Sequence, residues 1–454
     1  MPDEADVVVL GLGIAGEAVA GALAEEGLTV VGVDAGLVGG ECPYWGCIPS
    51  KMMIRAANAL AEARRVPALG GKVEVTPDWR PVSRRIREQA TDDWDDRVAV
   101  ERFEKKGGIF VRARGRLEGP GAVRIGDARV RARRGVVIAT GTRPAVPPVP
   151  GIDTVEVWTN REVATAQNLP ASVVVLGAGA IGTELAQVMA RFGTRVVIVE
   201  ALDRVLPLEE PEASAVLTDA FRSEGIEVHT GRRAVGVEPD SADGDGVRVH
   251  LDDGTELVAE RLLVATGRAT DLAGIGADTI GVDPTARFVP VDDHLRVTDG
   301  VWAVGDITGK GLFTHVGAHQ ARIVVADICG RDSEPFREHA IPRVTFTDPE
   351  VGSVGLSEAA AREAGLEVAV AVQPVPHTAR GWLHAVGNEG VIKLVVDTDR
   401  DVLVGATSVG PHGGEVLSML ALAVHAAVPL ETLRSMIYAY PTFHRGVEDA
   451  LGQL

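Results

Sequence analysis

The chain is poor in aromatic residues, with Phe, Trp and Tyr making up 4% of its 454 positions. Its core therefore has to be built from Ala, Val, Leu and Ile. Cysteine is scarcer still: Cys42, Cys47 and Cys329 are the only three. Three thiols exclude the disulfide framework of a small secreted protein. No apolar run reaches the roughly 18 residues of a membrane-spanning helix. Residues 1–6 hold three acids and no base, unlike the start of a secretory signal. Bases are outnumbered 45 to 64 by acids, giving a formal net charge of −19. That balance argues against nucleic acid or an anionic membrane as partner. The expected compartment is the cytoplasm, where two neighbouring cysteines point to catalysis rather than to a structural bridge.

The composition is that of a globular chain, 46% apolar and 24% charged. Its length suggests about three domains. One design occurs twice. Residues 7–16 read VVVLGLGIAG and residues 173–182 read VVVLGAGAIG, 166 positions apart. Each is a β-branched run that breaks at Gly-x-Gly-x-x-Gly and continues as a helical pattern. Helices are predicted over 17–26 and 183–192, each stopped by a glycine, Gly27 and Gly193. Strands follow over 29–34 and 195–200, and each ends on an acid, Asp34 or Glu200.

This unit binds dinucleotides for physical reasons. The first glycine makes the tight turn, the second lets backbone approach a pyrophosphate, and the third lets helix and strand pack closely. The helix N-terminus offers free N–H groups to phosphate. The terminal acid accepts hydrogen bonds from the ribose. A carboxylate at Glu200 favours a free 2′-hydroxyl, hence NAD(H) over NADP(H), although Arg204 lies close by. Two dinucleotides in one chain suit hydride transfer between a held flavin and an exchangeable nicotinamide.

The proline-rich stretch 144–150 reads as a linker, and 240–246 as a hairpin or loop. Beyond about residue 340 the pattern changes to strands near 343–347 and 391–396 and helices near 358–364 and 414–425. The predicted fold class is α/β, with two Rossmann-like dinucleotide-binding domains and a C-terminal α+β domain. The boundaries read as 1–145 and 271–340 for the first, 146–270 for the second and 341–454 for the tail.

Residues 39–51 read GGECPYWGCIPSK. Cys42 and Cys47 precede a helical stretch starting near Pro49, and a thiolate at a helix start is stabilised and reactive. No second cysteine pair or histidines at ligand spacing lie near, so no metal site is expected. Cys329 falls in an apolar helical pattern and reads as a core residue.

These motifs, with VVIATGTRP (136–144), VATGR (264–268), VWAVGDIT (301–308) and TFTDPEVGSVGLSE (345–358), resemble the class I pyridine-nucleotide disulfide oxidoreductases over essentially the whole chain. The resemblance implies FAD and NAD(H) as cofactors, a homodimer joined through the tail, and a small-molecule acceptor. It implies that Cys47 is the flavin-proximal thiol and Cys42 the interchange thiol. Lys51 and Glu184 would form an ion pair beside the cofactors. Asp306 would hold the flavin ribityl chain, and His315 would lie near the isoalloxazine edge. Gly11, Gly13, Ala15, Gly16, Asp34, Gly40, Glu41, Gly115, Ala139, Thr140, Gly141, Gly305, Phe313 and Thr314 would complete the flavin site. Gly177, Gly179, Ile181 and Gly267, with Glu200, would serve the nicotinamide dinucleotide.

The tail departs from the family. The disulfide reductases carry His-Pro-Thr-x-x-Glu, whose His is the acid–base catalyst. The aligned segment here is Tyr440-Pro441-Thr442-Phe443-His444-Arg445. Either Tyr440 occupies that role, or His444 substitutes from four residues along. A dihydrolipoamide dehydrogenase with a remodelled base, a transhydrogenase or diaphorase that bypasses the dithiol, and a non-enzymatic flavoprotein therefore stay open. The three tyrosines, Tyr44, Tyr438 and Tyr440, all fall in these two segments. Motif inheritance accounts for that; so does a pocket that stacks a flat acceptor such as a quinone.

Overall fold

A computed structural model describes residues 1–240 and 246–454. The loop expected at 240–246 falls largely outside those residues. The strands on either side of it, Ala234–Pro239 and Val247–Leu251, pair antiparallel. The chain forms two compact units, each assembled from three segments.

The first unit comprises Met1–Pro49, Arg84–Pro144 and Arg268–Glu338. Its sheet runs in the order Arg296–Thr298, Val301–Ala303, Ala128–Ile138, Glu4–Leu10, Val30–Asp34, Ile109–Arg112. From Val301–Ala303 onward the neighbours are parallel. Such strands are covered on both faces and therefore read as continuous apolar runs. Val7, Val8 and Val9 are fully buried accordingly. Gly115–Leu117 and Ala122–Ile125 extend the sheet as an antiparallel ribbon.

The second unit comprises Ser50–Ser83, Ala145–Gly267 and His339–Leu454. Its parallel sheet has the order Glu227–Thr230, Arg195–Glu200, Ser172–Leu176, Arg261–Val264, Val157–Trp158. An antiparallel meander, Ala234–Pro239, Val247–Leu251, Glu256–Ala259, lies beside it. The tail contributes a five-stranded antiparallel sheet, Arg343–Thr345, Glu350–Gly355, Val402–Gly410, Val391–Asp397, Val368–Pro374. The helix Gly413–His425 packs on it through Val416, Leu417 and Leu420.

The duplicated helices start earlier than their patterns suggest, at Ile14 and Ala180, because the last residues of each glycine motif are already helical. Cys329 is the C-cap of Thr314–Ile328 and only half-buried, which corrects its reading as a core residue. The chain turns out of the helix there, so the apolar stripe ends one residue short of it. Among the described residues, no helix is long and apolar enough to cross a membrane.

Candidate active site

The two glycine-rich turns are built alike. Gly11 has φ +90°, and a Cβ there would lie 2.4 Å from the Ala139 carbonyl oxygen. A Cβ on Gly16 would lie 2.0 Å from the Gly11 oxygen. Gly177 and Gly182 repeat this, at 2.6 Å from the Ala265 oxygen and 2.1 Å from the Gly177 oxygen. The middle glycines differ: Gly13 meets nothing nearer than Gly40 Cα at 3.9 Å, and Gly179 meets nothing within 4 Å. Outer glycines pressed on backbone and an open middle glycine are what a pyrophosphate lying against the loop requires. Gly40 (φ +69°) closes over Gly13, its own missing Cβ only 2.8 Å from Gly13 Cα. Ala15 packs its methyl where Gly305 and Gly317 leave room.

The two acids also match. Asp34 accepts from the Leu12 N–H at 2.6 Å and the Gly36 N–H at 2.7 Å. Glu200, buried, accepts from Ala178 at 2.7 Å and Leu202 at 2.8 Å. Arg204 is turned aside, donating to the Pro207 carbonyl at 2.9 Å and pairing with Asp203 at 3.3 Å. Ile181 is exposed on the first turn of its helix, and Gly267 (φ +122°) has open space around it.

The redox segment folds as a short helix, Glu41–Tyr44, followed by the long helix Cys47–Leu69. The Trp45 and Gly46 N–H groups both donate to the Glu41 carbonyl, at 2.8 and 2.6 Å. This turn brings Cys42 within hydrogen-bonding reach of Cys47. The helix begins at Cys47 itself, two residues before Pro49, whose missing N–H is harmless in a first turn. Cys47 is exposed and Cys42 half-buried. The hydrogen bond to Cys47, and then burial, push the Cys42 thiol well above the ordinary range. Thr314 Oγ1 lies 3.5 Å from Cys47 Sγ. Phe313 and His315 flank Thr314 with their rings stacked 5.2 Å apart.

Asp306 is half-buried, and burial raises its carboxyl above the usual range while Thr142 and Arg268 oppose that rise. The Thr142 hydroxyl donates to it at 2.9 Å, and Arg268 Nε donates to Thr142 Oγ1 at 3.0 Å. Arg268 also faces Glu41 at 3.4 Å. Gly141 (φ +64°) and the exposed Thr140 lead into Thr142. Gly115 opens a strand with its Cβ position 2.4 Å from Leu10 Cδ2, so packing alone demands its smallness. Thr142 and Arg268 stand inside quoted motifs, which was the only signal for them.

In the second unit Lys51 Nζ donates to both Glu184 oxygens, at 3.1 and 2.8 Å. The Phe346 N–H reaches Glu184 Oε1 at 2.8 Å, and the Phe346 ring lies 4.6 Å from the ammonium. Along the same helix, buried Arg191 holds Glu224 through Nε at 2.8 Å and Nη2 at 2.6 Å, and Asp348 at 2.8 Å. Gln187 exchanges hydrogen bonds with the Asp348 backbone, at 2.7 and 2.8 Å. Phe346 and Asp348 stand inside the motif TFTDPEVGSVGLSE, whereas nothing in the sequence singled out Gln187 or Arg191.

Tyr440 is 71% exposed, with the Arg445 guanidinium 5.5 Å from its ring. Arg445 also pairs with Glu448 and Asp449. His444 Nδ1 lies 3.1 Å from the Thr442 hydroxyl, and its ring tilts on Tyr438. Tyr438 is buried and donates to the Leu433 carbonyl at 3.0 Å; Tyr44 is buried too. The idea that all three phenols face an acceptor is thereby overturned, since two of them serve the core.

The family model for pyridine nucleotide-disulphide oxidoreductases matches residues 5–321, and the model for the dimerisation domain of that family matches 341–451. The chain belongs to this family. The oxidoreductase is 34% identical to a dihydrolipoyl dehydrogenase of Chlorobaculum tepidum over 98% of its own length and 96% of the relative's. It is 32% identical to a mercuric reductase of Shigella flexneri, over 98% and 80% of the two chains. Among solved structures, the HOCl-induced flavoprotein disulfide reductase RclA of Escherichia coli superposes with a TM-score of 0.85 at 25% identity, over 98% of this chain and 99% of that one. The oxidoreductase is thus an enzyme that works with FAD and a nicotinamide dinucleotide, and its tail is a dimerisation domain.

Proposed function

We propose that the enzyme passes electrons from NADH, by way of its FAD, to the Cys42–Cys47 disulfide, and that the dithiol then reduces an acceptor without an imidazole base. The observation carrying this reading is Tyr440, an exposed phenol capped by Arg445, standing where the reductases place their catalytic histidine. A phenol with a reference pKa of about 10 is a poor base at neutral pH beside an imidazole near 6.5. Acceptors that take electrons from a dithiol without that base, such as a quinone or a thiophilic metal ion, fit such a tail.

Bound FAD supplies the hydride-accepting and electron-relaying chemistry. The chain does the rest. The Gly11–Gly16 turn, with its open middle glycine, and Asp34 hold the adenosine and pyrophosphate end. Asp306, kept in place by Thr142, would hold the ribityl chain of a bound FAD. Lys51, fixed by Glu184, would offer a positive charge to a bound nicotinamide cofactor. The disulfide takes up two electrons and two protons to give two thiols, with Cys47 toward the flavin and Cys42 toward the acceptor. Re-forming the S–S bond delivers the two electrons to the acceptor and releases the two protons. Residues 1–145 and 271–340 form the flavin domain in this reading, 146–270 the nicotinamide domain and 341–454 the dimer interface, to which the exposed Ile437 and Trp382 would be available.

A second reading rests on His444, whose imidazole is oriented by Thr442. It would make the protein a dihydrolipoyl dehydrogenase with a displaced base, in line with its relatives. Anaerobic NADH titration comes first: a long-wavelength absorbance band that disappears in Cys47→Ser supports the flavin–thiolate route. Steady-state assays with lipoamide, a benzoquinone and Cu(II) then separate the readings. Quinone or Cu(II) turnover lost in Cys42→Ser supports the first. Lipoamide turnover that survives Tyr440→Phe and collapses in His444→Ala replaces it with the second.

A further inference from the structure

One segment of the first unit departs from ordinary backbone and ends on the redox loop. The five residues Ile86–Ala90 form a π-helical turn, a rare widening that recurs at functional sites. Three non-glycine residues in succession then adopt left-handed backbone: Asp92 (φ 48°), Asp93 (φ 56°) and Trp94 (φ 59°). Such conformations persist only where surrounding contacts over-determine them, and they collect at functional sites. The contacts here are specific. Buried Thr91 sends its hydroxyl to the Ile86 and Arg87 carbonyls, at 3.2 and 3.1 Å, and accepts the Trp94 N–H at 3.4 Å. Asp93 N–H reaches the Arg87 carbonyl at 2.7 Å.

This turn delivers the Trp94 indole onto the two residues that follow Pro43 between the redox cysteines. Its ring stacks on Trp45, with centroids 5.7 Å apart and planes inclined by 22°. Its Nε1–H donates to the Tyr44 carbonyl at 3.3 Å. Two residues on, the buried Asp96 carboxylate accepts the Val38 N–H at 2.6 Å and pairs with Arg112. One short segment thus grips the redox loop from both sides, between Cys42 and Cys47 and just ahead of Gly39 and Gly40.

We propose that Trp94 is a positioning residue for the redox loop, holding the Cys42 end in register with Cys47 in both the disulfide and the dithiol form. A disulfide fixes its sulfurs at about 2.0 Å, whereas two thiols stand at contact distance, so the loop shifts in every cycle. A flat stack plus one backbone hydrogen bond lets it shift and return to the same place. The argument rests on the reading that Cys42 and Cys47 cycle between these two states.

The test uses flavin-loaded wild type, Trp94→Ala and Trp94→Phe, reduced anaerobically with NADH and pulsed with iodoacetamide. Peptide mass spectrometry then reads the Cys42:Cys47 alkylation ratio. Flavin content and thermal midpoint report that each variant has folded. Trp94→Ala should raise the ratio by about tenfold, the size expected when a stack and a hydrogen bond are lost together. Trp94→Phe, which keeps the stack and lacks the N–H, should fall between. The rate at which NADH bleaches the flavin should stay at the wild-type value. An unchanged ratio in both folded variants overturns the proposal. Wild type that yields no NADH-dependent alkylation at either cysteine removes the cycling reading, and the proposal with it.

Discussion

The proposed preference for NADH rests on a carboxylate, Glu200, that two backbone N–H groups hold in place. Glu200 sits at the end of its strand with both oxygens tied to backbone N–H groups, and Arg204, a nearby cation that could welcome a 2′-phosphate, is engaged elsewhere. Two like charges about 4 Å apart at an effective dielectric of about 20 repel by about 4 kcal/mol. Salt and the solvent-facing side of a phosphate reduce this to roughly half to two-thirds, since the Debye length is about 8 Å. At about 1.4 kcal/mol per decade, the expected preference for NADH over NADPH in kcat/KM is on the order of 100-fold. Glu200→Gln removes the charge and keeps one carbonyl acceptor. It should bring the ratio close to unity, mainly through a gain with NADPH. It also leaves one of the two N–H groups unpaired, a loss of about 1–3 kcal/mol in stability. Initial rates with both coenzymes against one artificial acceptor, in wild type and variant, give the ratio directly. A wild type that uses the two coenzymes within threefold refutes the electrostatic argument. So does a folded Glu200→Gln enzyme whose ratio has not moved.

Two further outcomes follow from buried contacts. Arg191→Met strips partners from Glu224 and Asp348, but Glu224 is 24% exposed at its side chain and Asp348 keeps Arg65 at 2.7 Å. The loss should therefore fall near the low end of the 3–5 kcal/mol typical of a broken buried pair; hydrogen exchange of amides in Ala180–Arg191 should accelerate on the order of 100-fold, and less than tenfold would show the network to be dispensable. Gly16→Ala places a methyl 2.0 Å from the Gly11 oxygen and should yield protein largely free of flavin, whereas Gly70→Ala, with nothing within 4 Å, should purify yellow. Equal flavin absorbance in the two variants would refute the reading of the cradle.

What could be read from the residues was what short-range physics encodes. The two glycine motifs announce themselves because turn, phosphate approach and helix contact each demand a missing side chain at a fixed spacing. The cysteine pair is legible for the same reason. Its helix starts two residues early because a proline in the first turn is compatible with helix and marks its start only loosely. Lys51 and Glu184 lie 133 positions apart, and only the family resemblance joined them before the fold did. The tyrosines misled because residue type does not report which way a ring turns: Tyr44 and Tyr438 face inward. Trp94 gave no signal at all. Its position comes from a widened turn and three left-handed residues, none of them the glycine that would normally advertise such backbone.

The matched acids, Asp34 and Glu200, have a consequence for how this chain can evolve. In each unit the acid proposed to bind the cofactor's ribose is also the staple of the loop beside it. Any single substitution that redirects specificity therefore loosens its own binding loop, and neither change can be selected separately. A switch of coenzyme has to arrive as a correlated set, a new residue at 200 together with new partners for the Ala178 and Leu202 amides. Intermediates that lack the second part are less stable without yet being useful. Drift in coenzyme preference should accordingly be slow along this lineage, and swaps in its relatives should appear as blocks of neighbouring changes rather than as isolated ones.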